Sequence, residues 1–310
     1  MTPAAPPPPR TSFGSALVRA VRDDRAATIG ALVIAALLLL ALLAPVITRI
    51  TGQDPYTYDA SALDPGSGLP QGALGGISGT HWLGVEPLTG RDLFAIVAHG
   101  ARTSFLIGVL ATAVSVVLGV ALGASAGYLG GWWDRVVGWV GDVIFGFPYL
   151  VFMVALGAVA PPSIPRQVLL IVVIGFFGWP RVARVVRSAT LGLARRDFVR
   201  AAQAMGSPPW RTITRRLLPN LWGPVVVIAT LSIPERIGLE AALSFLGVGV
   251  RPPTPSWGRS ISDAIGWVQT DPMFLVVPGV ALFLATMAFN LLGDGLRDAL
   301  DPRTARQGAR

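Results

Sequence analysis

The residues of this chain that could do chemistry are few, and their types exclude most covalent mechanisms. The sequence contains no cysteine, and all 25 of its basic residues are arginine. A Walker A lysine, a Schiff-base lysine, a disulfide and a thiolate-bound metal are therefore excluded. Neither of the two imidazoles, His81 and His99, has a second ligand four residues away, which favours packing over metal binding. We predict no catalytic residue, no metal and no cofactor in this chain.

Three charged residues lie within a long apolar segment, where ionisable side chains commonly have a function. They are Glu235, Arg236 and Glu240, in the stretch 221–246. Two interpretations stay open for Glu235 and Arg236: they face a polar cavity, or they form an ion-pair and hydrogen-bond network that fixes helix packing. The packing network is the favoured interpretation for Glu240.

The composition places these residues in a membrane protein. Of the 310 residues, 52% are hydrophobic and only 14% are charged, and the mean hydropathy is +0.60. These values are typical of a polytopic membrane protein. A helix needs about 20 apolar residues to cross the hydrocarbon core. Six segments are candidate spanning helices: 26–48, 104–126, 143–160, 167–179, 221–246 and 272–293. The fourth is short, and we expect it to extend through Arg181 and Arg184, whose long side chains can snorkel to the interface.

The distribution of arginine predicts the orientation of these spans. With the N-terminus inside, the cytoplasmic segments hold 18 of the 25 arginines. This asymmetry fits the positive-inside rule and predicts that both termini are cytoplasmic. Arg181, Arg184 and Arg187 then lie at the inner end of the fourth span, and we favour anchoring to anionic lipid headgroups for them. Pairing of one of them with Asp142 is the structural alternative.

The segment between the fourth and fifth spans predicts a pair of short helices. The first ends at Gly206, and Ser207 and Pro208 suit the cap and first position of the second. Each helix carries an apolar stripe at helical spacing. The stripes are Phe198, Ala201, Ala202 and Met205 in the first helix, and Trp210, Ile213 and Leu217 in the second. Two short helices with one apolar face each suit docking to another protein.

This segment resembles the cytoplasmic coupling loop, or EAA loop, of ABC importer permeases. The resemblance implies that the loop contacts the ATPase subunits. The positions that it assigns to this contact are Arg200, Ala201, Ala202, Met205, Gly206, Ser207, Trp210, Ile213, Leu218 and Pro219. Arg200 departs from the pattern, since the family has an acidic residue there. Asp197 is placed to pair with Arg200 at i, i+3.

Four further stretches resemble the second permease subunit of dipeptide/oligopeptide/nickel-type importers, in the family's order. The resemblance covers roughly residues 81 to 303. The stretches are HWLG at 81–84, with Gly90-Arg91-Asp92 after it, GYLGGWWD at 127–134, LEAALSFLGVGVRPPTPSWG at 239–258, and FNLLGDGLRDALDPR at 289–303. Glu240 lies within the third of them.

The resemblance implies an all-α, polytopic bacterial inner membrane protein with the six-helix fold of type I ABC importer permeases. Its partners would be a second permease subunit, two cytoplasmic ATPase domains or subunits that bind ATP and magnesium, an external substrate-binding protein, and membrane lipid. The substrate would be a di- or oligopeptide, with nickel or another small solute as the alternative. Glu235, Arg236 and Glu240 would then be candidates for the solute pathway.

The organisation predicted along the chain has five parts. They are a disordered cytoplasmic tail over 1–25, the first spanning helix over 26–50, an external loop over 51–103 with an interfacial helix from Leu93 to Arg102, a membrane core over 104–293 that contains the coupling loop 180–220, and a cytoplasmic tail over 294–310.

Three other functional classes are alternatives to a transport subunit. The net charge of +8 and a two-helix segment suggest helix-turn-helix DNA binding, but bilayer-length apolar runs flank that segment, so we expect no nucleic acid partner. An intramembrane enzyme would need a catalytic set, and the HExxH motif is absent. The third alternative is a scaffold that only assembles a complex. Co-purification distinguishes it from an importer subunit, because an importer subunit should co-purify with P-loop ATPases.

Overall fold

The computed structural model describes residues 13–161 and 163–300. The predicted tail residues 1–12 and 301–310 lie outside the described residues. Within them the protein is built from helices joined by turns and one long irregular segment. The α-helices are α1 (Phe13–Asp23), α2 (Arg25–Thr51), α3 (Leu93–Leu129), α4 (Gly131–Gly146), α5 (Tyr149–Val159), α6 (Arg166–Ala194), α7 (Asp197–Ala204), α8 (Pro209–Thr212), α9 (Leu218–Phe245), α10 (Trp257–Ala264) and α11 (Met273–Leu300).

The spanning helices confirm the predicted all-α polytopic fold. Five helices are long and apolar enough to cross a bilayer, and α4 and α5 supply a sixth span if this pair, bent by 76°, is counted as one. The bend falls at Phe147 and Pro148, because proline cannot donate a backbone hydrogen bond and its ring clashes with the preceding turn. The predicted third span, 143–160, crosses this break.

The fourth span extends past residue 179 and through Arg181 and Arg184, as expected for this short apolar run. α6 continues unbroken beyond them to Ala194. Arg181, Arg184 and Arg187 therefore lie within a continuous helix, and Arg181 is near its middle. Each of these arginines has a carboxylate partner on another helix, which reduces the cost of placing charge there.

The N-terminal part differs from the predicted disordered tail. Residues 13–23 form α1, an amphipathic helix that packs on the end of α11 through Ala20, Ala27 and Leu296. Asp24 then caps α2, its carboxylate accepting a hydrogen bond from the Ala26 amide at 2.8 Å. The proline-rich start of the chain dominated the prediction, but the apolar spacing after it is sufficient for a helix that has a surface to pack on.

The predicted interfacial helix is not a separate element. Leu93 to Arg102 form the first turns of α3, whose 37 residues run on without a break. Leu93 and Ile96 are buried against Ala264 and Phe274, beneath α10 and α11. The apolar side of this segment is therefore covered by protein and not by the lipid surface. The C-terminal tail is also shorter than predicted, since α11 continues to Leu300.

Close packing of α3 against α6 forms the centre of the bundle. Gly119, Gly123 and Gly127 follow one another at four-residue spacing on α3, which lets two helix backbones approach. A Cβ on Gly123 would lie 2.5 Å from the Ala183 carbonyl oxygen and 2.9 Å from its Cα. Gly127 is similarly close to the Arg187 carbonyl oxygen, at 2.9 Å. Side chains at these positions would force the two helices apart.

Replacement of Gly123 by alanine tests this packing. We expect Gly123→Ala to lower the free energy of unfolding by about 1–3 kcal/mol, because the new methyl group meets backbone atoms that cannot move aside. Thermal unfolding of the detergent-purified protein measures the change. Gly138→Ala is the matched control, since an added Cβ there has no atom within 4 Å. Equal unfolding temperatures for the two variants would contradict the close contact.

Candidate functional site

The first candidate site is the hairpin between α6 and α9, which we name the coupling hairpin (residues 197–212). Its first helix, α7, ends at Gly206, whose φ of +73° is favourable for glycine. The Ser207 amide donates to the Ala202 carbonyl at 3.0 Å, and the Gly206 amide donates to Gln203 at 2.9 Å. These two bonds form a Schellman motif, which reverses the chain direction at Gly206.

The second helix of the coupling hairpin is continuous with a spanning helix. α8, a π-helical turn over Ile213–Leu217, and α9 together form one stretch of 37 residues from Pro209 to Phe245. The predicted cap is displaced by one residue, since Pro208 is at the cap position and Pro209 begins the helix. The Ser207 hydroxyl instead accepts a hydrogen bond from Thr212 at 3.2 Å. This end of the hairpin is thus joined to α9 without a break in the helix.

The coupling hairpin is attached to the bundle by buried residues and also has exposed apolar residues. Val199 and the adjoining Leu217 are buried against Ala124 of α3 and Val182 and Val186 of α6. Met205 is exposed at 74% and Trp210 at 65% of their surfaces, and Trp210 also lines an apolar pocket beside α3. Of the predicted contact residues, those exposed to solvent are Arg200, Ala201, Met205, Gly206, Trp210 and Pro219. Ala202 is buried, and Ser207, Ile213 and Leu218 are partly buried.

The second candidate site contains the charged residues of α9, and the structure separates the three of them. Glu240 is fully buried, and its carboxylate accepts hydrogen bonds from Ser104 of α3 at 2.9 Å and from Ser244 at 2.7 Å. These contacts join α9 to α3 inside the bundle. This enclosed, hydrogen-bonded position is consistent with the packing network that we favoured for Glu240.

Arg236 is also inside the protein, with 5% of its surface exposed. Its guanidinium lies directly over Gly178 of α6, in the space that a larger residue would fill, and beside Ser115 of α3. The Nε atom has no hydrogen-bond partner, and neither does the buried hydroxyl of Tyr149 at the start of α5. Arg236 thus lies where α3, α6 and α9 meet, close to the break between α4 and α5.

Glu235 is the exposed member of the three. Its Oε2 lies 2.5 Å from Nη1 of Arg181 on α6, and the side chains are 43% and 57% exposed. Two further ion pairs follow on α6 at three-residue spacing. Arg184 Nη2 lies 2.6 Å from Asp142 Oδ1, and Arg187 Nη2 lies 2.6 Å from Asp134 Oδ2. We name these three pairs the α6 ion-pair row.

The α6 ion-pair row differs from the lipid-anchoring role that we favoured for its arginines. Each arginine pairs with a carboxylate of α4 or α9, and the Asp142 pairing is the structural alternative given above. Arg184 also lies over the Phe145 ring at 4.3 Å from its centroid. The signal in the sequence was the spacing: arginines three residues apart on one span, and two aspartates two helical turns apart in another.

The external segment before α3 contains a separate polar cluster. His81 is buried, with Nδ1 at 3.0 Å from Asp92 and Nε2 at 3.3 Å from Asp59. A hydrogen bond from the Ser61 hydroxyl lowers the pKa of Asp59 below its ordinary value, against the opposing effect of burial. Asp92 also caps α3 through the Ala95 amide at 2.7 Å. This cluster fixes the external segment to the start of α3, a packing role for His81.

Across the part of the chain that the structure describes, no group of three or more histidine, aspartate or glutamate side chains is arranged to hold a metal ion. The two candidate sites are therefore a hairpin with exposed apolar residues and a row of ion pairs.

Comparison with known proteins identifies the class of molecule that has this arrangement. Residues 119–306 match the model of the family described as binding-protein-dependent transport system inner membrane component. The chain belongs to this family. As a permease of that family it is a multi-pass inner membrane protein, and the matched region contains both the coupling hairpin and the α6 ion-pair row.

Curated relatives match this permease over most of its length. It is 32% identical over 302 residues to the dipeptide transport system permease protein DppC of Alkalihalophilus pseudofirmus, with 96% of this chain and 94% of the relative covered. It is 39% identical over 228 residues to the glutathione transport system permease protein GsiD of Pectobacterium atrosepticum, covering 74% of each chain. The Escherichia coli GsiD is 37% identical over 285 residues, covering 92% and 89%.

The buried carboxylate of this permease gives a prediction that separates packing from transport. We expect Glu240→Ala to lower the free energy of unfolding by about 2–4 kcal/mol, because it leaves a cavity and removes the acceptor of two buried hydroxyls. Glu240→Gln should cost less, since the amide keeps the shape and one acceptor. Thermal unfolding in detergent measures both. A Glu240→Ala protein of wild-type stability would show that the residue has another role.

Proposed function

We propose that this permease forms half of the translocation pathway of an ATP-driven importer of short peptides. Its partners would be a second permease subunit, two ATPase domains or subunits at the cytoplasmic face, and an external binding protein that delivers the peptide. Family membership supports the general assembly. The observation that carries the coupling role is the exposed apolar face of the hairpin, formed by Met205 and Trp210.

The substrate class is supported by the relatives. Two kinds of named relative, a dipeptide permease and glutathione permeases, cover nearly all or most of this chain. Dipeptides and glutathione share an ammonium group, carboxylates and amide bonds in a small volume. The relatives that support this proposal are named for peptide transport and not for nickel, so we propose short peptides as the substrate.

The orientation follows from charge. In the proposed topology the coupling hairpin and both termini are cytoplasmic, in agreement with the arginine distribution. Arg200, Arg211, Arg215 and Arg216 are exposed on or beside the hairpin. They surround its apolar face with positive charge, which would complement acidic residues on a partner ATPase and compensate for the missing family acid at Arg200.

The mechanism converts partner closure into helix movement. When ATP binding closes the ATPase subunits, they displace α7 and α8. α7 follows α6 after two linking residues, and α8 is continuous with α9 through the π-helical turn. The displacement therefore moves α6 and α9 relative to one another, and the pathway opens alternately to the two sides. ATP must bind the two states of the assembly with different affinity to drive this change.

Reconstituted uptake tests the proposed function. The permease, its partner permease, the ATPases and the binding protein are placed in proteoliposomes that contain ATP. We expect ATP-dependent accumulation of labelled dipeptides or glutathione, and none of nickel. Accumulation of nickel without peptide would overturn the substrate class, and failure of the chain to co-purify with any ATPase would overturn the coupling role.

The turn of the coupling hairpin gives a sharper test. Gly206→Val places a β-branched residue at φ +73°, a conformation that costs such residues about 1–2 kcal/mol or more. We expect it to distort the docking surface and reduce both uptake and peptide-stimulated ATP turnover. Gly206→Asn is the matched control, because asparagine tolerates the left-handed conformation. Wild-type uptake and ATP turnover by Gly206→Val would contradict the lever mechanism.

A further inference from the structure

The exposed ion pair of the α6 row lies at a polar cavity between three spanning helices. The cavity has a volume of ≈ 370 Å³ and brings α6, α9 and α11 together. It is lined by Arg181, Leu231, Pro234, Glu235, Thr286 and Asn290. The side chains that line it thus include one cation, one anion, one hydroxyl and one amide, a set that suits a small zwitterionic molecule.

The position of this pair excludes a surface in contact with lipid tails. α6 is 29 residues long, or about 43 Å, against about 30 Å for the hydrocarbon core. Arg181 lies near the middle of that helix, yet it and Glu235 are about half exposed. Charged side chains at such depth face water or protein, because exposure to hydrocarbon is costly. The exposed side of the pair therefore faces water, a polar solute or a partner protein.

We propose that the Arg181–Glu235 pair is a substrate contact in the translocation pathway, where it opens to bind the two termini of a zwitterionic peptide. The peptide carboxylate takes the place of Glu235 beside Arg181, and the peptide ammonium takes the place of Arg181 beside Glu235. One ion pair is exchanged for two of the same kind, so no charge is left unpaired. This inference rests on the proposed function and adds Arg181 to it.

The connection of α6 and α9 to the coupling hairpin provides a means of releasing the peptide from Arg181 and Glu235. α6 and α9, which carry Arg181 and Glu235, are the two helices that the hairpin joins. A displacement of the hairpin changes the distance between the two side chains. When they approach, the pair re-forms and the peptide is displaced. Arg184 with Asp142, and Arg187 with Asp134, offer the same chemistry one and two helical turns nearer the hairpin.

Single cysteines test whether the cavity is part of an aqueous pathway. The chain has no cysteine of its own, so a substituted thiol is the only one that it carries. Asn290→Cys places the thiol in the cavity and leaves the ion pair intact. Leu42→Cys, on the exposed apolar face of α2, is the control. Both are incorporated in the complete assembly and treated with a charged, membrane-impermeant methanethiosulfonate reagent, and mass spectrometry of this chain measures labelling.

We expect Asn290→Cys to be labelled and Leu42→Cys to remain unlabelled. With the loaded binding protein present, a zwitterionic dipeptide should slow the labelling, and the same dipeptide with acetylated N-terminus and amidated C-terminus should not. Equal labelling of the two variants would overturn the aqueous pathway. Labelling that the zwitterionic dipeptide does not slow would overturn the substrate contact. This readout needs no import, so it stays informative if wild-type uptake fails and the proposed function is rejected.

Neutral variants test the role of charge. Arg181→Gln with Glu235→Gln keeps hydrogen-bonding groups of similar shape, and uptake should fall by about tenfold or more through loss of two charge-assisted contacts, with assembly and thermal stability retained. The control is Arg259→Gln with Asp263→Asn, a partly buried i, i+4 pair on α10, which should import normally. Arg181→Lys alone should retain part of the uptake. Normal uptake by the double glutamine variant would overturn the proposal.

Discussion

Ion pairing within the membrane-spanning helices is the main constraint on this structure. α6 carries three arginines along its inner half, and each meets a carboxylate of a neighbouring helix. These pairs connect α6 to α4 and α9, the helices before and after it in the membrane. An isolated charge in hydrocarbon is costly, so the pairs restrict the positions that the three helices can take. They also leave one face of the bundle polar at the depth of the membrane.

Two kinds of contact hold the helix bundle together. α3 and α6 approach closely through glycines of α3, which leave no room for a side chain of their own. Buried Glu240 adds hydrogen bonds between α9 and α3. The α6 ion-pair row is partly exposed and has no such enclosure. A small movement of α9 against α6 therefore costs least at Arg181 and Glu235, the point where a solute would meet the protein.

A few residues show which structural features the local sequence pattern can predict and which it cannot. The turn at Gly206 was predictable, because a glycine after an amphipathic helix is a strong helix-end signal. The continuity of α8 with α9 was not, since the predicted fifth span begins only at residue 221 and the structure joins it to α8 through the π-helical turn. The extension of α6 through Arg181 and Arg184 was expected, but its continuation to Ala194 was not.

The sequence by itself determined that this is an all-α inner membrane protein, and it located the coupling hairpin between two spans. Apolar length, arginine distribution and motif order are local properties, and each can be counted along the chain. Only the tertiary structure decided that Glu240 and Arg236 are enclosed, that Glu235 is exposed, and that Arg181 is its partner. Burial and pairing depend on which helices are adjacent, and that is set by contacts between residues far apart in the chain.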